Sequence, residues 1–273
     1  SDQIVLRIVP ATPPKNQERP IPTLNFLMGS AAGFILAAIA VLMMDHFDDS
    51  LKTAGQIEKL LGLPVLGFVL DSEHTKSGLI TLKDPHSAEA GAFRALGARM
   101  EILGARKNIR TLMIVNAEPA DARTTIAANV AVVNALQGKQ VILLDGGLNH
   151  PHLHSLFGME NIKGVAELIN DEMDINSARH SVKDVEGMTL IPAGLTQKDS
   201  TAWLDAKKLE QLLSQLRNQA DLVIVDSPPA DSADAQILAS QVDAVLLVIK
   251  SGRTRADATQ STLRRLVALD AEV

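Results

Sequence analysis

The chain has 273 residues, 46 % of them hydrophobic, and a formal net charge of −6. That length suffices for one large domain, or a domain with an appendage, around a sizeable core, and the acidic balance argues against a globally basic nucleic-acid-binding protein. Cysteine and tyrosine are both absent, which excludes disulfides and thiolate metal sites and fits a reducing compartment.

Residues 1–20 open with a strand-like run, IVLRIV, followed by PATPPKNQERPIP. The prolines predict an extended, semi-rigid lead-in, and the stretch reads as the end of a larger region. From Ile21 to Met44 the sequence IPTLNFLMGSAAGFILAAIAVLMM carries no charge. About 20 apolar residues at ~1.5 Å rise each cross a bilayer core, so a transmembrane helix is expected over 21–47. A buried core helix is the alternative, but soluble helices of this length carry a polar face. A cleaved signal peptide would have a shorter apolar run. Lys and Arg are nearly balanced around the span and lean toward a cytoplasmic N-terminal side, a weak rule where a long domain follows. Gly29-Ser30-Ala31-Ala32-Gly33 spaces two glycines by one helical turn. Such a face lets helices approach closely in lipid, although small residues are common in membrane helices in any case.

After the span, TAGQIEKLLG predicts a helix with Ile57, Leu60 and Leu61 on one face, and LPVLGFVL predicts a strand. DSEHTKSG is a loop, and HSAEAGAFRALGARMEILG predicts a helix from about Ser87 to Leu103. From Thr111 the strands TLMIVN, QVILLD, MTLIPAG, DLVIVDS and AVLLVIK alternate with helix-like runs, among them TTIAANVAVVNALQG and DAKKLEQLLSQLRNQ. Continuous apolar strands separated by helices predict an α/β fold with a parallel sheet covered on both faces. Ligands of such sheets bind at the carboxyl ends of the strands, where Asn116, Asp145 and Asp226 stand.

Between TLMIV and TTIAANVAVVNAL lies NAEPADAR. A strand, a short loop and a helix opening on Thr124-Thr125 form the setting of a phosphate-binding loop, whose pattern is G-x-x-x-x-G-K-[ST]. Here Ala120 and Ala122 stand where glycines are wanted, and Arg123 stands where lysine is wanted. Asp145 and Asp226 each end an apolar strand downstream of that turn, the usual position of a magnesium partner; either alone could equally cap a helix or turn. His150, His152 and His154 in HPHLH could ligate a metal, though no cysteine supports them. Lys207-Lys208 and Arg264-Arg265 read as solvated helix faces, and Trp203 as a packing residue.

Taken together, these stretches resemble the bacterial tyrosine kinases fused to Wzz-type polysaccharide co-polymerases, over nearly the whole chain. The lead-in and span are similar to the second membrane helix of the co-polymerase, and DSLKTAGQIEKLLGLPVLGFVL to the juxtamembrane link. NAEPADARTTIAANVAVVNALQGKQVILLDGGLNHP is similar to the Walker A and A′ region, and DLVIVDSPPADSADAQILASQVDAVLLVIKSG to the Walker B strand and the segment after it. The resemblance implies a P-loop NTPase-like domain over 86–273, a link over 48–85, ATP or ADP with Mg2+ as cofactors, and Thr124, Asp145 and Asp226 on the metal side. It also implies a place in the bacterial inner membrane with the C-terminal domain in the cytoplasm.

The departures are in the site. The family loop resembles S-A-x-P-G-E-G-K-S-T. Alanine in left-handed geometry costs roughly 1–2 kcal/mol, and Arg123 brings a planar fork in place of an ammonium. The A′ motif resembles D-x-D, but here Asp145 is followed by Gly146-Gly147, so the second acid is missing. An E-x-x-R-x-x-R pattern implied for subunit contacts is matched by Gly91, Arg94 and Gly97, keeping one residue of three. The tyrosine-rich tail and last strand of the family are expected beyond Val273. The expectation is a polysaccharide chain-length regulator with a degenerate kinase-like domain that associates with itself, through Gly29–Gly33 and the cytoplasmic domain, and with polymerase and export machinery. The alternatives are an active autokinase and a membrane-tethered partition-type ATPase.

Overall fold

The computed structural model describes residues 21–46, 49–72, 78–118, 122–170, 172–195, 205–269 and 271–273. Trp203 lies outside them. The chain divides into two compact units after Asp49.

The first unit contains α1, Pro22–His46. Its segment Pro22–Met43 has a mean hydropathy of 2.3 and is long and apolar enough to cross a membrane. The side chains Phe26, Leu27, Phe34 and Leu42 are all more than two-thirds exposed, so no protein core accounts for this apolar surface. Neither Gly29 nor Gly33 has another atom within 4 Å of where a Cβ would stand.

The second unit, Ser50–Val273, is the α/β domain. Helix α2 (Ala54–Leu61) starts at Thr53, which forms a capping box with Gln56, and stops at Gly62, whose φ of 69° suits glycine. A short helix, α3 (Ile80–Lys83), and the long α4 (Ala88–Lys107), capped by Ser87, precede the first strand. Then follow β1 (Thr111–Asn116), α5 (Ala122–Leu136), β2 (Val141–Asp145), and the short α6 (Leu153–Leu156), α7 (Val165–Ile169) and α8 (Ile175–Ala178). The remainder is β3 (His180–Ser181), β4 (Met188–Ile191), α9 (Ala206–Arg217), β5 (Leu222–Asp226), α10 (Ala233–Ala239), β6 (Ala244–Val248) and α11 (Ala256–Val267).

The sheet order is β3-β4-β2-β5-β1-β6. All neighbours run parallel except β3, which pairs antiparallel with β4. The central strands β1, β2 and β5 are buried at every position and mostly apolar because both faces are covered, as period-two alternation then assigns each side chain to one layer. Met113, Val115, Ile142, Leu144, Val223 and Val225 face a core completed by Leu209, Leu213 and Leu216 of α9, Leu238 of α10 and Leu266 of α11. Leu112, Ile114, Leu143 and Ile224 face the other layer, with Phe93 and Leu96 of α4 and Val130 of α5.

The five parallel strands expected from the sequence form. LPVLGFVL does not form one: residues 63–70 carry no strand. Part of their backbone polar groups find side chains instead of a ladder, with the Val65 N–H donating to Glu58 Oε1 at 3.1 Å and Arg99 donating to Leu66 O at 2.6 Å. Leu66 and Val69 pack on the α4 layer while Phe68 and Leu70 stay exposed, so the apolar run is a strap over the domain. That strap is fastened before and after. Ser50 bridges Arg255, the Leu51 N–H donates to Thr254 O at 3.1 Å, and Asp71 pairs with Lys250 at 2.5 Å.

Candidate functional site

Parallel pairing sets the site. In the register of β2 and β5, Asp145 lies opposite Asp226, so two carboxylates stand side by side at the carboxyl end of the sheet. Both are buried, each 1 % exposed. The loop from β1 to α5 rises next to them. Ala120 lies outside the described residues; Ala122, Arg123, Thr124 and Thr125 form the first turn of α5 and are half-buried.

Arg123, at the lysine position, is turned onto the Walker B carboxylate. Its Nε donates to Asp226 Oδ1 at 2.6 Å. The Thr124 hydroxyl donates to Asp226 Oδ2 at 2.7 Å. Neither oxygen of Asp226 is thus free of a hydrogen bond. Burial pushes its carboxyl above the usual range; the Arg123 charge and the Thr124 hydroxyl pull it back down.

Asp145 has other partners. Its Oδ1 accepts the Gly147 N–H at 3.1 Å, and its Oδ2 accepts the N–H groups of His152 at 3.3 Å and Leu153 at 3.2 Å. The side chain therefore folds the 146–153 loop around itself and caps α6. Burial, joined by the charge of Asp226, pushes it up to about 7, and the three backbone donors only partly offset this. Gly146 is required by close approach: its N–H donates to Asp226 O at 2.8 Å, and a Cβ there would lie 2.6 Å from that oxygen.

A P-loop magnesium site needs a hydroxyl and a carboxylate that can turn toward the ion. Thr124 and Asp226 are brought together as the sequence led one to expect, but they bond to each other and to Arg123. Asp145 is adjacent and engaged with the backbone. A hydroxyl and two carboxylates are oxygen donors of the kind magnesium takes, but the guanidinium of Arg123 stands on Asp226 Oδ1. The histidines do not provide another centre. His150 and His152 are exposed, burial and nearby His152 lower the pKa of His154, and among the described residues no group of three or more His, Asp or Glu could hold a metal. Arg264 and Arg265 are exposed. In the expected contact pattern, Arg94 donates to its own chain at Pro85 O, and Gly97 is buried against α5, where a Cβ would stand 2.8 Å from Val133 Cγ1.

One residue escaped the sequence reading. Asn129, fully buried in the middle of α5, accepts from the Thr81 N–H at 3.1 Å and from the Thr81 hydroxyl at 2.8 Å. It donates to Gly78 O at 3.1 Å and Thr125 O at 2.8 Å. It ties residues 78–81 to the first turn of the loop helix. The available signal was an amide inside the apolar run IAANVAVV.

Residues 109–268 match the AAA domain family. The tyrosine-protein kinase YwqD of Bacillus subtilis is 30 % identical over 177 residues, 64 % of this chain and 74 % of that protein. The tyrosine-protein kinase ptk of Acinetobacter johnsonii is 28 % identical over 97 % of this chain, which spans 37 % of that relative's length. Among solved structures, the chimerical protein CapA2B2 superposes with a TM-score of 0.73 at 25 % identity, over 81 % of this chain and 96 % of the other. The kinase domain of Escherichia coli ETK does so at 0.73 and 24 % identity, over 79 % and 88 % of the two chains, a likeness of fold. The fold is that of the P-loop NTPases.

Proposed function

The chain belongs to the bacterial tyrosine-kinase family, and from that premise we propose that it is a membrane-anchored regulator of surface-polysaccharide assembly whose kinase-like domain does not turn over ATP. Helix α1 is the anchor in the bacterial inner membrane, residues 48–85 are the link, and the domain from residue 86 onward faces the cytoplasm. The domain acts by contacts with further copies of itself and with polymerase and export machinery, and sets polysaccharide chain length. The observation that carries the absence of turnover is the direction of Arg123. At the lysine position, Arg123 Nε donates to Asp226 Oδ1 at 2.6 Å, so the side chain is engaged by the carboxylate. Loss of the lysine, both glycines and the second A′ acid removes transition-state charge stabilisation as well as binding.

Titration calorimetry of Mg·ADP and Mg·ATP into the soluble unit Ser50–Val273 tests this. No heat up to ~1 mM nucleotide is expected from folded protein, whereas micromolar binding would end the reading. A second reading, an active ATP-dependent tyrosine autokinase, is favoured by the names of the relatives. It requires magnesium-dependent nucleotide binding that Asp226→Asn abolishes.

A further inference from the structure

A carboxylate buried as deeply as Asp226 needs a positive partner, because an uncompensated charge in the interior costs several kcal/mol. P-loop proteins supply that charge from a divalent ion. Here one side chain supplies it. Arg123 sits one residue before Thr124 on the first turn of α5, is only 16 % exposed, and holds Asp226 Oδ1 at 2.6 Å while Thr124 holds Oδ2 at 2.7 Å. We infer that Arg123 is a built-in counter-ion standing where P-loop proteins hold a divalent cation, so that this site excludes Mg2+. The inference rests on the proposed reading of the loop as one that does not bind nucleotide.

The balance of charge supports the exclusion. The Arg123–Asp226 pair is neutral as it stands. An entering Mg2+ would add two positive charges beside the guanidinium; among the described residues, Asp145 lies next to Asp226 as a counter-charge. The oxygens of Asp145 already accept three backbone N–H groups. The ion would have to displace the guanidinium from Asp226, and the guanidinium cannot shed its proton to make room.

The test is Mn2+ titration followed by electron paramagnetic resonance, on the full chain in detergent micelles. Wild type is expected to show no Asp226-dependent Mn2+ site up to ~1 mM. Arg123→Ala is expected to open one site, at least about tenfold tighter than any in the wild type, that Arg123→Ala/Asp226→Asn loses again. Arg123→Gln keeps a donor for Asp226 without the charge; should the alanine variant unfold, it gives the same readout. Wild-type uptake of an ion that Asp226→Asn abolishes would overturn the inference, as would folded Arg123→Ala and Arg123→Gln that take up none. The two failures separate. Nucleotide binding by the wild type in EDTA would end the non-binding reading while leaving the role of Arg123 in place. Mn2+ at wild-type Asp226 with no nucleotide binding would do the reverse.

Discussion

At the scale of single residues, burial and hydrogen bonding decide what each side chain does. Asp145 has a folded pKa of about 7 against an ordinary 3.8. Between those values the folded chain holds a proton that the unfolded chain has released, so this group's contribution to stability falls as pH rises through that window and is flat above it. The full loss is bounded at about 4 kcal/mol. Urea midpoints of the unit Ser50–Val273 at pH 5.5 and pH 8 should therefore favour the lower pH, and Asp145→Asn should flatten the difference. An unchanged slope in that variant would assign the dependence elsewhere. Asn129→Ala should cost about 2–3 kcal/mol, because the buried Thr81 N–H and hydroxyl lose their acceptor. A urea midpoint within error of wild type would contradict this.

At the scale of elements, α4 and α5 pack where a side chain is missing. A Cβ on Gly97 would stand 2.8 Å from Val133 Cγ1, so the helices approach more closely than alanine permits. Gly97→Ala gains helix propensity and loses packing, and the overpacking, at about 1–3 kcal/mol, outweighs the gain. Trimming the neighbour should relieve it: Gly97→Ala/Val133→Ala is expected to melt above the sum of the single losses. Simple additivity in the double-mutant cycle would mean the helices separate freely. The same closeness leaves no place for a long side chain at 97 with α5 in this position.

At the scale of the molecule, the segment immediately after the apolar helix belongs to the domain's core. Leu51, Leu79 and Ile80 are buried within the unit that begins at Ser50. A fragment starting at residue 86 forfeits them at about 1.5–3 kcal/mol each, along with the anchoring of 78–81 to Asn129. It should melt well below the fragment Ser50–Val273. Equal melting temperatures would show that the strap is dispensable. If the prediction holds, residues 78–81 and the loop helix act as one body, joined through Asn129.

The sequence by itself determined the apolar helix, the five parallel strands and the placing of Asp145 and Asp226 at strand ends. These depend on hydrophobic period and on residue type, which are local properties of the chain. It also marked the loop as altered, because glycine and lysine have chemical roles that alanine and arginine do not share. The tertiary structure decided what the altered residues do. Nothing in NAEPADARTT says that Arg123 turns onto a carboxylate 103 residues away; that requires β5 to pair beside β1 and bring Asp226 under α5. It decided likewise that LPVLGFVL is a strap, since an apolar run reads alike whether side chains or a neighbouring strand satisfy its backbone. It also gave Asn129 its purpose, because the partners of that amide lie 48 and 51 residues earlier in the chain.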